Sequence, residues 1–191
     1  WIGRRWIWWR RGRRFRRRRR IGIMVNLQRW LGHVFSSPWA VRRAFPPDAL
    51  QAIEDEIRTS EKLHNGELRV AIEASLTPLS VWRGQSGRAR AIEAFSHLRV
   101  WDTEHNSGVL IYLLLADRNI EIVADRGIAA RIDPQEWERI ARTMEQAFRS
   151  GQFSQGTQAG IRAITALLAQ HFPPTGNNPD ELSNRPVIVR R

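Results

Sequence analysis

The spacing of apolar positions changes several times along the chain, and each change marks an element. Within residues 24–45, Leu27, Trp30, Leu31, Val34 and Phe35 recur at helical intervals, which predicts a short amphipathic helical segment with Arg29 on its polar side. Pro46, Pro47 and Asp48 then open a helix whose buried face is Leu50, Ile53 and Ile57, and Asn65-Gly66 stops it. Leu68, Val70 and Ile72 alternate with Arg69 and Glu73, the pattern of a strand with one wetter face. Past a loop around residues 78–87, Ala89, Ile92, Phe95 and Leu98 return to helical spacing. The run from Val109 to Ala116 is apolar throughout, as expected of a central strand covered on both faces. Asp117, Arg118 and Asn119 supply a turn, and Ile120 to Ala124 forms a third strand antiparallel to the second.

Two helices follow. Asp133, Pro134 and Glu136 make a helix start in which Asp133 caps, Pro134 occupies the first turn and Glu136 reaches back as in a capping box. The stripe Trp137, Ile140, Met144 and Phe148 is its buried face, and Gly151 ends it. A last helix, from about Gln155 to His171, buries Ile161, Ile164, Leu167 and Leu168 before Pro173-Pro174 terminates it. A strand, a helix and a second strand in succession make a βαβ unit. The fold expected is α/β, a three-layer-like sandwich with a small mixed sheet of three to four strands flanked by helices. Residues 46–172 form this domain, and residues 173–191, polar and broken by proline, read as an extended strap or a disordered tail. There is no internal repeat and no linker between two cores.

Charge changes the picture less than its total implies. Eleven of the 31 basic residues and none of the 19 acids lie in residues 1–23, so the remainder carries 20 basic against 19 acidic groups. The arm 1–23 reads as disordered or as an artefact of start-site choice, because Met24 opens a stretch of ordinary composition. If present in the native protein, its Trp and Arg mixture suits a membrane surface or RNA phosphates and bases. No sequence-specific nucleic-acid binding is expected. Peripheral membrane contact through residues 1–45 is. The chain has no cysteine, which excludes disulfides, thiolate nucleophiles and sulfur-based zinc sites. The five histidines are scattered without metal-binding spacing, and the longest apolar run is far too short to span a bilayer. A cytoplasmic protein, in part membrane-associated, is the expectation.

The candidate chemistry lies at the ends of the second and third strands. Hard cations need several converging oxygens. Asp102, Glu104, Asn106 and Asp125 offer them, provided strand pairing brings residue 125 beside the 102–106 loop. The pattern suits a hard cation, Ca²⁺ or Mg²⁺, or the handling of phosphate groups, with Asp125 and Arg126 as the candidate catalytic pair. An arginine fork suits the charge on a transferring phosphoryl group. Each residue also has a plainer role. Asp125 caps the following turn, Asp117 and Asn119 favour the tight turn, Glu104 is solvated, His105 is an exposed loop histidine, and Arg126 forms a surface pair with Glu121 or Asp133. Trp101 and Trp137 are expected in the core or lining a pocket. Ser107 has no hydrolase setting around it, and no nucleophile elbow is present.

Several segments between about Phe45 and Phe172 carry a resemblance. Asn106-Ser107-Gly108-Val109-Leu110 enters the apolar strand, Asp117-Arg118 makes the turn, Ile122 leads to Asp125-Arg126-Gly127, and Phe148-Arg149-Ser150-Gly151-Gln152-Phe153 precedes Gly156. In these the chain resembles the TPM domain family, named after a thylakoid lumen protein, a photosystem II repair protein and an acetylcholine-receptor modulator. The resemblance implies a compact α/β sandwich and, for some members, calcium binding and weak acid phosphatase activity. Other members look like assembly or repair factors, so the alternative reading is a non-enzymatic protein that holds a protein partner or assists a membrane complex. The chain departs from many relatives in showing no cleavable export signal, Gly-rich tail or terminal membrane helix.

Overall fold

The computed structural model describes residues 29–33, 38–175 and 180–189. The arm 1–23, and Leu27, Val34 and Phe35 of the amphipathic segment, lie outside the described residues. Residues 29–33 are helical (α1), and α2 (Pro38–Ala44) and α3 (Pro47–Ser60) follow. The other elements are β1 (Glu67–Glu73), α4 (Pro78–Trp82), α5 (Gly87–His97), β2 (Gly108–Leu114), β3 (Asn119–Ala124), α6 (Arg126–Ala129), α7 (Pro134–Arg149), α8 (Phe153–His171) and β4 (Val187–Val189).

The sheet runs β3-β2-β1-β4, with β1 parallel to both β2 and β4 and β3 antiparallel to β2. This is the mixed sheet that the alternation predicts, with the crossover from β1 to β2 made by α4 and α5. The loop expected around residues 78–87 contains the short helix α4, capped by Thr77, whose side chain accepts from the Ser80 amide. The polar tail supplies β4, which pairs with the upper half of β1.

Strand parity divides the core into two layers. Leu68, Val70, Ile72, Val109, Ile111, Leu113, Ile120 and Ile122 face α3, α7 and α8 on one side. Ala71, Leu110, Tyr112, Leu114 and Val123 meet Val81 of α4 and Ala91, Ala94 and Phe95 of α5 on the other. Every residue of β2 is buried, as its unbroken apolar run predicts. Helices α7 and α8 pack closely because Gly156 and Gly160 leave room: a Cβ on Gly160 would lie 2.2 Å from the Met144 sulfur.

Four local expectations need correction. The polar side of β1 is not wet: Glu67 and Glu73 are buried, covered by α5 and by the tail, and only Arg69 is half-exposed. Trp101 is 43% exposed and belongs to neither core, whereas Trp137 is buried. Asp133 caps α7 by accepting from the Gln135 amide at 2.8 Å, but the Glu136 side chain does not reach back; Arg139, one turn on, takes it at 2.5 Å. Asp117 does more than favour a turn. It accepts from Arg29 Nη2 at 2.8 Å and lies 2.9 Å from His33 Nε2. Because His33 Nδ1 accepts from the Leu76 amide at 2.9 Å, a neutral ring carries its proton on Nε2 and donates it to Asp117. Burial alone would raise the Asp117 pKa, but the bonds from His33 and Arg29 hold it below the usual carboxylate range. Helix α1 is thereby fastened across the end of the sheet.

Candidate metal centre on the acidic rim

Antiparallel pairing of β2 with β3 returns the chain to the rim where β1 and β2 begin. Glu67 pairs with Gly108 in the parallel register, and the Asp125 amide donates to the Gly108 carbonyl at 2.8 Å. Glu67, Gly108 and Asp125 thus form one row across three strands, spanning roughly 10 Å at the usual strand spacing. Asp125 lies on the same rim as residues 102–106, which is the geometric condition the proposed site required.

The 102–106 loop is folded onto this row. A Cβ on Gly108 would lie 1.9 Å from the Val100 carbonyl oxygen, so the loop backbone crosses directly over the start of β2. The Ser107 carbonyl accepts from the Glu67 amide at 3.0 Å, and Thr103 Oγ1 accepts from the Ser107 amide at 2.9 Å. Asn106 sits at φ 52°, a left-handed conformation that Asn tolerates better than most residues. Its side-chain oxygen accepts from Arg126 Nε at 2.8 Å. Arg126, exposed as a residue, is therefore bonded to Asn106 and not to Glu121 or Asp133.

Asp125 serves two roles at once. One carboxylate oxygen caps α6 by accepting from the Arg126 amide at 2.6 Å. The other is buried without a hydrogen-bond partner among the described residues. Burial raises its pKa, opposed by the amide bond and charge of Arg126. A buried carboxylate oxygen without a partner is costly unless water or an ion meets it. Asp102, Glu104 and His105 are exposed on the same rim, and no three ionisable ligands among Asp102, Glu104, His105 and Asp125 converge within 4.8 Å.

The acids that do converge are others. Glu61, Glu67 and Asp180 place carboxylate oxygens within 4.8 Å of one another, with Glu67 buried, Glu61 half-buried and Asp180 exposed. Glu61 follows the end of α3, Glu67 opens β1, and Asp180 comes from the tail. Glu61 Oε1 accepts from the Leu68 amide at 3.3 Å, and Glu67 Oε2 accepts from the Leu182 amide at 3.2 Å, so the tail is tied to the strand it joins. Glu181 Oε2 accepts from the Glu104 amide at 2.9 Å, linking the tail to the 102–106 loop. Burial, then repulsion from Glu67, pushes Glu61 up to about 8; burial, resisted by the Leu182 amide, raises Glu67 to about 6.

The segment carrying Glu61 and Glu67 is held from beneath. The Gly66 amide donates to Nδ1 of the buried His64 at 3.1 Å, so the proton of the neutral ring is on Nε2, 2.8 Å from Ser60 Oγ. Ser60 in turn donates to Thr165 Oγ1 at 2.6 Å, and Thr165 to the Ile161 carbonyl at 2.8 Å. Each donor finds an acceptor. Burial keeps His64 neutral, its pKa lowered to about 4.

Comparison with known proteins agrees with this architecture. The sequence profile of the TPM domain matches residues 42–167. The chain belongs to the TPM domain family. The fold is also similar to that of the BA42 protein from the psychrophilic bacterium Bizionia argentinensis, whose structure was determined by NMR. That likeness has a TM-score of 0.67 and 30% identity, and covers 74% of this chain and 93% of that one. A comparison with curated proteins gave no match. Among the described residues, this TPM-domain protein has no helix long and apolar enough to cross a membrane.

The rim also supplies a prediction about its own rigidity. A Cβ on Gly127 would come within 2.7 Å of the His105 and Asn106 carbonyl oxygens, both backbone atoms with little freedom to retreat. Gly127→Ala is expected to cost about 1–3 kcal/mol as the loop and α6 are forced apart. Urea unfolding measures this, and an unchanged midpoint would contradict the close packing.

Proposed function

We propose that this TPM-domain protein binds a divalent cation, Ca²⁺ or Mg²⁺, through Glu61, Glu67 and Asp180, and that Asp125 and Arg126 on the same rim handle a phosphate ester. The observation that carries the reading is the meeting of three carboxylates from three separate segments. The donor set is all oxygen, which suits a hard cation better than zinc or copper. Carboxylates raised in pKa by burial and mutual repulsion are groups that a cation would relieve. Asp102 and Glu104, exposed nearby, add to the negative field that draws the ion in, and Asn106 sets the direction of Arg126. A cation held there supplies positive charge against phosphoryl oxygens. Arg126 offers its guanidinium to the same oxygens, and the partnerless oxygen of Asp125 accepts a proton or orients a water. The activity proposed is slow phosphomonoester hydrolysis.

The alternative is a non-enzymatic interaction factor, in which the cation fastens the tail to the rim and a protein partner reads the result. It is favoured by Asp180 lying in the tail and by Asp125 being partly occupied as a helix cap. Turnover separates the two. Hydrolysis of p-nitrophenyl phosphate that is stimulated by calcium or magnesium and lost in Asp125→Asn with the fold intact is the expected result. Cation binding without any turnover favours the interaction factor, and calorimetric titrations showing no binding of calcium, magnesium or manganese would refute both forms.

A further inference from the structure

The end of the sheet opposite the acidic rim has the reverse character. Asp117 in the turn between β2 and β3 holds Arg29 of α1, and Arg29 Nη2 also donates to the Gln85 carbonyl at 3.0 Å, two residues beyond Arg83. This gathers α1, the end of α4 and the turn at one pole of the molecule. Three apolar side chains are exposed there: Trp82 at 79%, Leu79 at 52% and Leu31 at 41%. On the other side of the turn, Arg43 and Arg118 line one shallow pocket with Ala40, Ala44 and Leu115.

Arg42, Arg43, Arg83 and Arg118 are all exposed, and none forms an ion pair among the described residues. The acids of this pole are largely neutralised. Asp117 is paired with Arg29, Glu121 with Arg88 and Glu145 with Arg149, and Glu73 and Glu93 share Arg90, so that one of these two charges and Asp48 are left against the four free arginines. In the sequence, residues 1–23 contain eleven arginines, four tryptophans and no acid.

We propose that this pole docks on an anionic lipid surface, with Trp82, Leu79 and Leu31 entering the headgroup boundary and Arg42, Arg43, Arg83 and Arg118 facing lipid phosphates. Charge complementarity selects the partner. Exposed cations beside an exposed indole are what an anionic interface attracts, and each basic group near such a surface adds to binding. RNA would use the arginines and the indole, but Leu31 and Leu79 gain nothing from stacked bases and gain directly from acyl chains. The acidic rim does not oppose the contact. Seven residues of β1 put it roughly 20 Å away, beyond two Debye lengths at physiological salt. The docked protein would hold its cation-binding rim away from the bilayer.

The test is co-sedimentation of the full chain with vesicles of phosphatidylcholine alone and of phosphatidylcholine with about a third phosphatidylserine. Binding is expected to the anionic vesicles only, and to weaken as salt rises. Reversing one exposed arginine, Arg83→Glu or Arg118→Glu, should lower the partition coefficient by about fivefold or more. The double variant Leu79→Ser, Trp82→Ser should lower it about tenfold or more at unchanged melting temperature, because both side chains are already exposed. Binding that is undiminished in all these variants would place the contact outside this pole and overturn the proposal. So would an absence of binding to anionic vesicles. Self-association abolished by Trp82→Ser, or RNA binding that outcompetes the vesicles and ignores the Leu79 and Trp82 changes, would likewise assign the surface to another occupant.

Discussion

In Glu67→Gln, calcium affinity is expected to fall by on the order of tenfold or more, because one of three charged ligands becomes a neutral amide of the same shape. The parent protein should show a second signature. Glu61 is pushed up to about 8 and Glu67 to about 6, so at pH 6 a proton competes for the first carboxylate and partly for the second. A cation must displace those protons. Between pH 6.5 and 8, calcium affinity should therefore rise by up to about tenfold per unit, since one pKa unit corresponds to a factor of ten. Near pH 7 each ion should release about one proton, visible as a binding heat that changes between buffers of different ionisation enthalpy.

The sign for stability runs the other way. Over that interval the folded cation-free protein keeps a proton on Glu61 that the unfolded chain has already lost, so this group's contribution to stability falls as pH rises towards 8. His64 does not interfere there. Its lowered pKa costs stability only as pH falls from about 6.5 towards 4, where the unfolded chain gains a proton that the buried ring refuses. The melting-temperature gain from calcium should thus grow from pH 6.5 to 8. Wild-type affinity in Glu67→Gln, or an affinity flat across this interval, would remove Glu61, Glu67 and Asp180 from the cation site.

The layout of the sheet was legible because period is a local property. Alternation marked β1 and β3, the unbroken apolar run marked β2, and the helical stripe of Trp137, Ile140, Met144 and Phe148 marked α7. The 102–106 loop and Asp125 were legible as rim residues for the same reason, since a tight turn between adjacent strands returns the chain to its starting edge. The converging carboxylates were not. Asp180 lies in a polar segment without period, and nothing local ties it to Glu67, 113 positions earlier. Glu67 and Glu73 show how far alternation reaches: it assigns an acid to a face but not the cover on that face. Here α5 and the tail bury both acids. An acid at each end of one apolar strand, on the same parity, was the available signal. Asp117 failed similarly, because the turn it favours says nothing of the arginine and histidine that arrive from positions 29 and 33.

Glu73→Ala is expected to be the most damaging single change outside the hydrophobic core, at about 3–5 kcal/mol. Glu73 is 3% exposed and stands at the end of β1 far from the cluster of Glu61, Glu67 and Asp180. Tyr112 donates its hydroxyl to Oε2 at 2.5 Å, while Arg90 reaches Oε2 through Nε at 2.9 Å and Oε1 through Nη2 at 3.2 Å. Burial and the bond to Glu73 raise the Tyr112 pKa, and the same carboxylate raises that of Arg90, so across the usable pH range Tyr112 keeps its proton to donate and Arg90 keeps its charge. Truncating Glu73 strands a buried hydroxyl and a half-buried guanidinium beside an open cleft of about 450 Å³. Replacing the group as a whole is a different matter. Glu73→Leu, Arg90→Met and Tyr112→Phe together remove every charge and hydroxyl, and should recover most of the loss, because desolvating the ions offsets much of what their attraction contributes. Denaturant unfolding of the single and triple variants measures both effects. Since the triad and the proposed cation site occupy opposite ends of β1, the refolded triple variant should match the parent in any calcium titration. A loss below about 1 kcal/mol in Glu73→Ala would show that water reaches the cleft and solvates what the carboxylate leaves behind.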